Sequence, residues 1–162
     1  MNLKETLTQV FSTNFMAYLH SHIAHVNTVG RNFQSDHALL QGIYEDLQDQ
    51  IDHLAELLRT IYAMMPQDLS TIQQNSIITD YPMQGSADDL LTLVYEDIEA
   101  LISEYRTLAE VADNEGSIEI SNFAQDRLLH HQKQCWQLRA TLGVSNVTSE
   151  SEEDEDEDIE LF

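Results

Sequence analysis

Four stretches of the chain place hydrophobic residues at the three- and four-residue spacing of an amphipathic helix. They predict helices over residues 3–28, 35–63, 87–113 and 118–142. Gly30 follows the first stretch and Pro66 the second, and both residue types tend to end helices. Ser86 with Asp89, and Ser117, stand where caps would begin the third and fourth helices. The first helix is expected to bury one broad face, made of Leu3, Leu7, Val10, Phe11, Phe15, Tyr18, Leu19, Ile23 and Val26.

The connections between the predicted helices differ in length. A few residues join the first helix to the second and the third to the fourth, whereas residues 65–85 separate the second from the third. Short, long, short is the connectivity of a ferritin-like four-helix bundle, although other all-α folds share it. Residues 69–78 within the long crossover predict a short additional helix. The predicted fold is therefore all-α, a ferritin-like four-helix bundle with a short helix in the crossover between helices two and three.

Composition agrees with a helical protein of one folded domain. Glycine occurs five times and proline twice, too rarely for a turn-rich β fold. No window is long and apolar enough to span a bilayer. The N-terminus lacks the basic-then-apolar pattern of a signal peptide, so a cytoplasmic location is expected. A single cysteine, Cys135, excludes an internal disulfide framework.

The charge of the chain is strongly negative. It contains 29 acidic and seven basic residues, for a formal net charge of −22. Such a surface repels nucleic-acid phosphates, so direct DNA binding is not expected.

Nine of the acids lie in the last thirteen residues. The sequence therefore predicts a folded domain over residues 1–143 and a disordered acidic tail over 144–162. The tail either solubilises the protein or recruits a protein partner, since Leu161 and Phe162 end it with an apolar pair.

Seven histidines raise the question of a metal site, because imidazoles and carboxylates together suit iron, zinc or manganese. The usual di-iron centre inside a four-helix bundle takes a Glu-x-x-His motif from each of two helices. The sequence contains no such motif, which disfavours a centre of that kind.

A different set of potential ligands surrounds the junction of the first two helices. Asp52 and Glu56 are four residues apart, so both carboxylates leave one face of the second helix. They follow His37 by fifteen and nineteen residues. The set resembles the signature of the Dps family of miniferritins, which matches in identity and spacing at His25, Gly30, Phe33, His37, Asp52 and Glu56. Lys133 and Trp136 are similar to the last helix of that family, so the resemblance covers residues 3–142.

The resemblance implies a function and a ligand arrangement. In this family His25 and His37 would come from one subunit, and Asp52 and Glu56 from its partner across a two-fold interface. Ferrous iron would be oxidised there, usually by hydrogen peroxide, and ferric iron stored in a dodecameric shell, which protects against oxidative damage. The expected cofactor is iron, with zinc or manganese as possible substitutes.

Two positions depart from the family pattern. Gln41 replaces a carboxylate often found four residues after the second histidine, so a second iron is expected to bind more weakly. Val26 replaces a tryptophan that usually follows the first histidine. These losses leave open an alternative function, a non-enzymatic shell or adaptor whose acidic tail recruits a partner.

The remaining candidate residues have two interpretations each. Glu115 and Glu119 stand where the family places acidic pore residues, or they are ordinary charges near a helix N-terminus. His22 could assist the metal site, although a surface role is favoured, and His53 is expected to be solvated. His131 and Cys135 could bind zinc, but core packing is the favoured interpretation.

Overall fold

The computed structural model describes residues 1–144, which form five helices and no strand. This confirms the predicted all-α bundle, including the short helix in the crossover. The helices are α1 (Leu3–Asn27), α2 (Phe33–Thr60), α3 (Leu69–Asn75), α4 (Ala87–Asn114) and α5 (Ile118–Thr141). Nearly all of the predicted tail lies outside the described residues. Within residues 1–144, no helix is both long and apolar enough to cross a membrane.

The crossover runs the length of the bundle. At one end, a surface depression is lined by both the α1–α2 turn, at Gly30, and the start of α4, at Ser86. At the other end, the backbone N–H of Leu3 donates to the Glu115 carboxylate at 2.9 Å, which joins the start of α1 to the end of α4. α1 packs along α2 and α4, and α4 packs along α5. The molecule is therefore two antiparallel hairpins joined by one long connection.

Helix α4 begins with a capping box, as its sequence predicts. The Ser86 hydroxyl accepts from the Asp89 N–H, and the Asp89 carboxylate accepts from the Ser86 N–H. Gly85 precedes the box with φ +125°, and an added Cβ would stand 2.7 Å from Asp89 Oδ2. Only glycine fits there without strain. At α5 the cap prediction is half right, because Ser117 is the N-cap residue but its side chain makes no capping hydrogen bond.

The predicted apolar face of α1 was too narrow and partly misplaced. Leu19 and Val26 are exposed, whereas Thr6, Thr13 and Asn14 are buried. The reason is tertiary: α1 contacts α2, α3 and α4, so nearly its whole circumference is covered. Short polar side chains fit such a position when they bond to backbone, as the Asn14 amide does to the Leu47 carbonyl at 2.9 Å.

A buried polar network joins α2 to α5, whose backbones approach less closely than those of α1 and α2 or of α4 and α5. Arg127 donates two hydrogen bonds to the Asp46 carboxylate, at 2.9 and 2.6 Å. His131 is fully buried beside Arg127, and its Nδ1 lies 2.7 Å from Gln134 Oε1. A guanidinium inside the bundle opposes metal binding there, in keeping with the missing Glu-x-x-His motif.

His131 and Cys135 are both buried, so the core-packing interpretation is correct. Burial raises the pKa of the Cys135 thiol to about 11, which keeps it protonated and a poor metal ligand.

A second polar cluster attaches the crossover to α4. The Tyr81 hydroxyl donates to Asp97 Oδ1 at 2.7 Å, and His20 Nδ1 lies 2.8 Å from Asp97 Oδ2. Burial and the adjacent Asp97 carboxylate raise the pKa of Tyr81, so the phenol stays a hydrogen-bond donor. The cluster fixes the crossover across α1 and α4.

Candidate metal centre

His25, near the end of α1, and His37, in the first turns of α2, form a closely stacked pair. Their ring centroids are 3.7 Å apart and their planes are inclined by 22°. His25 is 8% exposed and His37 is half-buried. The tight α1–α2 turn brings the two rings together although they are twelve residues apart.

Reciprocal hydrogen bonds fix the orientation of both rings. His25 Nδ1 donates to the backbone carbonyl of His37 at 2.9 Å, and His37 Nδ1 donates to the carbonyl of His25 at 2.8 Å. Because a carbonyl oxygen can only accept, each Nδ1 carries a proton, and in the neutral imidazole each Nε2 then keeps its lone pair. Such backbone bonding is the usual way a protein prepares a histidine as a metal ligand. Neither Nε2 has a hydrogen-bond partner within residues 1–144.

Aromatic residues extend this pair into a cluster of rings in mutual contact. Phe33 packs on His37 with a centroid distance of 4.9 Å, and the Tyr44 ring lies 4.9 Å from His25, inclined to it by 58°. His22 stacks on Tyr44 at 4.2 Å with nearly parallel rings, and its Nδ1 lies 3.3 Å from the Tyr18 hydroxyl. These ring contacts restrict the rotation of the two imidazoles.

The contact between His22 and Tyr44 was missed in the sequence, although His22 was considered there as a residue that could assist the metal site. Their only signals there were that His22 precedes His25 by three residues and that Tyr44 follows His37 by seven.

Asp52 and Glu56 are exposed on α2 and do not meet the histidine pair in one chain. At the α-helical rise, Asp52 lies about 22 Å and Glu56 about 28 Å beyond His37 along the helix axis. Within residues 1–144, no group of three or more histidine, cysteine or acidic side chains is placed to hold a metal ion. A site that uses all four residues therefore requires a second copy of the chain.

Three of the four candidate ligands, His37, Asp52 and Glu56, nevertheless lie on one side of α2, and the His25 ring is stacked on that of His37. By helical rotation, Asp52 and Glu56 lie within about 100° of His37 around the helix. A second α2 packed antiparallel against this side would place its acids opposite the first chain's histidines. The geometry is compatible with a site shared between two copies.

The two departures from the family pattern have visible structural consequences. Gln41 is exposed and donates its amide N–H to Glu45 Oε1 at 2.7 Å, so its side chain is engaged with a neighbour on α2. Val26 is 63% exposed beside the histidine pair and has no aromatic ring to offer.

Glu115 and Glu119, the two pore candidates, lie at the end of the bundle opposite the His25–His37 pair. Glu115 caps the end of α4 and accepts the Leu3 N–H, so it has a structural role in the single chain. Glu119 is exposed in the first turn of α5, where a negative charge suits the helix dipole. Their predicted role at a pore remains a prediction. His53 is exposed on α2, and its ring packs on Phe123.

The chain is similar in sequence and in fold to known proteins. A model of the ferritin-like domain matches residues 4–146. The DNA protection during starvation protein of Helicobacter pylori is 27% identical over 143 residues, which covers 88% of this chain and 99% of that protein. Two solved structures share the fold at lower identity. Dps from Thermosynechococcus elongatus has a TM-score of 0.83 at 22% identity and covers 91% of this chain and 94% of its own. Dps from Listeria monocytogenes has a TM-score of 0.84 at 23% identity, with 88% and 94% covered.

Proposed function

The chain belongs to the ferritin-like domain family, and on that premise we propose that it binds and oxidises ferrous iron at sites completed between two copies of the chain. Ferric iron is then stored in a hollow homo-oligomeric shell, proposed to be a dodecamer, which protects the cell against oxidative damage. The observation that carries the proposal is the His25–His37 pair, whose two Nδ1 protons are committed to backbone carbonyls and whose Nε2 atoms remain available for Fe²⁺.

Each ligand type has a distinct task in this reaction. The neutral imidazoles hold Fe²⁺ without filling its coordination shell, which leaves positions open for the oxidant. Asp52 and Glu56, from the partner copy, supply negative charge that favours Fe³⁺ over Fe²⁺. Two Fe²⁺ ions each give one electron to hydrogen peroxide, which takes up two protons and becomes two water molecules. This two-electron route releases no hydroxyl radical.

The proposal predicts loss of ferrous oxidation in variants of either ligand type. His37→Ala and Glu56→Ala should each reduce the peroxide-dependent rise in ferric absorbance at least about tenfold, because each removes a ligand from every shared site. His53→Ala, an exposed histidine on the same helix, is the matched control and should keep the wild-type rate. A wild-type rate equal to that of buffer would refute the proposal.

A second candidate function has its own support in the sequence. Gln41 offers an amide where a carboxylate would bind iron more strongly, which favours a non-enzymatic shell or adaptor with a weakened site. Its acidic tail, outside the described residues, would then recruit a partner. In that case the oligomer would form while the ferrous assay stayed at the buffer rate. Zinc or manganese binding at His25 and His37 would be compatible with both functions.

A further inference from the structure

A cavity of about 260 Å³ opens between α2 and α5, beside the polar network that joins these helices. On the α2 side its wall includes Ala38, Leu39 and Gly42, and on the α5 side it includes His130, Lys133 and Gln137. The α2 wall is apolar and offers no charge. The α5 wall combines an ammonium group, an imidazole and an amide, all of which can donate hydrogen bonds.

The lining of this cavity contains a lysine and no acidic residue, although the chain as a whole is strongly acidic. The carboxylate closest to its polar wall is Asp46, whose Oδ2 lies 3.2 Å from His130 Nε2. Burial opposes ionisation of Asp46, but the Arg127 hydrogen bonds hold its pKa below the usual value, so the pair is neutral as a unit. Within residues 1–144, no carboxylate lies within 4.0 Å of the Lys133 ammonium. Lys133 therefore presents an ammonium group that is not in an ion pair with any carboxylate of residues 1–144.

Gly42 makes room for an occupant. A Cβ added at this position would meet no atom within 4 Å, so the missing side chain leaves open space on the α2 wall. Glycine in the middle of a helix is otherwise unfavourable by roughly 0.5–1 kcal/mol relative to alanine. The Gln134 side chain lines the cavity in a fixed orientation. Its oxygen accepts from His131, and its amide N–H groups donate to Asp46 and His130.

We propose that this cavity binds a small free oxyanion of the phosphate type. Lys133 provides the charge, and His130 and Gln137 provide further donors to the oxygens, an arrangement typical of oxyanion recognition. The apolar α2 wall restricts the occupant to a compact ion. In a chain with only two lysines, one of them lies at this cavity.

The site adjoins the candidate metal centre along the chain. Ala38 directly follows His37, and Gly42 directly follows Gln41. An oxyanion held there would provide counter-charge for ferric ions that leave the histidine pair, a role that rests on the proposed function. Binding of the anion itself does not depend on iron.

Calorimetric titration of the metal-free, full-length protein with inorganic phosphate tests the site. The wild type should show saturable binding, and Lys133→Gln should weaken it at least about tenfold through loss of a charge-assisted contact. Lys4→Gln is the matched control, since it removes the only other lysine and the same charge far from the cavity. Its affinity should stay within about twofold of the wild type.

Gly42→Leu provides an independent variant, because it fills the cavity, keeps every charge and favours the helix. It should lose phosphate binding while helicity and oligomer size stay unchanged. The site is refuted if the wild type binds no inorganic phosphate, or if Lys133→Gln binds it as tightly as the wild type does. It is also refuted if the wild type, titrated in the same way with glycerol 3-phosphate, binds that compound but not inorganic phosphate. Failure of ferrous oxidation would leave all of these results unaffected, so the two proposals fail separately.

Discussion

Single side chains in this protein owe their chemistry to the groups that surround them. Backbone carbonyls fix the orientation of the His25 and His37 rings, whereas His131 is removed from solvent and surrounded by Arg127 and Gln134. Burial, and the adjacent Arg127 charge, lower the pKa of His131 to about 3. The same residue type is thus oriented as a candidate metal ligand at one end of the sequence and packed as a neutral core residue at the other.

His131 predicts a specific dependence of stability on pH. An unfolded histidine titrates near pH 6.5, so between about pH 6.5 and 3 the unfolded chain binds a proton that the folded chain excludes. Stability should fall as pH falls through this window, by about 1.4 kcal/mol per pH unit from this residue. His131→Gln should flatten the decline in the thermal midpoint between pH 6.5 and 4.5 at fixed protein concentration. Asp46, with its lowered pKa, affects stability only at lower pH. An unchanged slope in His131→Gln would contradict this account.

Individual helices are defined by signals at their ends. The capping box at Ser86 and Asp89 begins α4 where the sequence predicts it, because its hydrogen bonds join residues three apart. The end of α2 was harder to predict. The helix stops at Thr60, before Pro66, and Tyr62 adopts φ +60°. There the N–H groups of Tyr62 and Ala63 donate back to the carbonyls of Arg59 and Leu58, which closes the helix with a left-handed residue. Glycine usually occupies such a position, so a tyrosine there leaves no stop signal in the sequence.

Two glycines allow a matched test of these local rules. Gly85→Ala should destabilise the protein by about 1–2 kcal/mol, because the residue has positive φ and its Cβ would overlap the Asp89 side chain. Gly42→Ala should instead stabilise it by roughly 0.5–1 kcal/mol, since α2 gains helix propensity and the added Cβ meets nothing. Thermal unfolding midpoints compare the two directly. Equal effects of the same sign would show that the backbone conformation at Gly85 is not constrained as described.

The whole molecule confirms the resemblance to the Dps family that the sequence suggested. The match to the ferritin-like domain, the H. pylori relative and the Dps structures agree with the short, long, short connectivity and the crossover helix. The single chain also explains why two copies are needed for the proposed metal site. Asp52 and Glu56 lie about 22 and 28 Å from His37 along α2, so they cannot reach the histidine pair of the same chain.

Mixing two inactive variants tests the shared site directly. When His37→Ala and Glu56→Ala chains are co-assembled in equal amounts, half of the two-fold pairs are mixed, and each mixed pair has one intact site. The mixture should therefore recover about one quarter of the wild-type ferrous oxidation rate. Unmixed variants in the same total amount are the control and should remain inactive. If the mixture also stays inactive after exchange of subunits is verified, both ligand types act within one chain and the shared site is wrong.

The amino-acid sequence was sufficient for the features that depend on near neighbours or on residue identity. Helix positions, the α4 cap, the acidic balance and the set of His25, His37, Asp52 and Glu56 all follow from spacing of a few residues or from a recognisable pattern. Other features required the packed bundle, because they join side chains from separate helices. The reciprocal imidazole–carbonyl bonds, the Arg127–Asp46 pair and the cavity beside Gly42 exist only once α1, α2 and α5 are in place. No helical period specifies which polar groups will meet across an interface, and these contacts decide which of the seven histidines are packed as neutral core residues and which keep a ring nitrogen available.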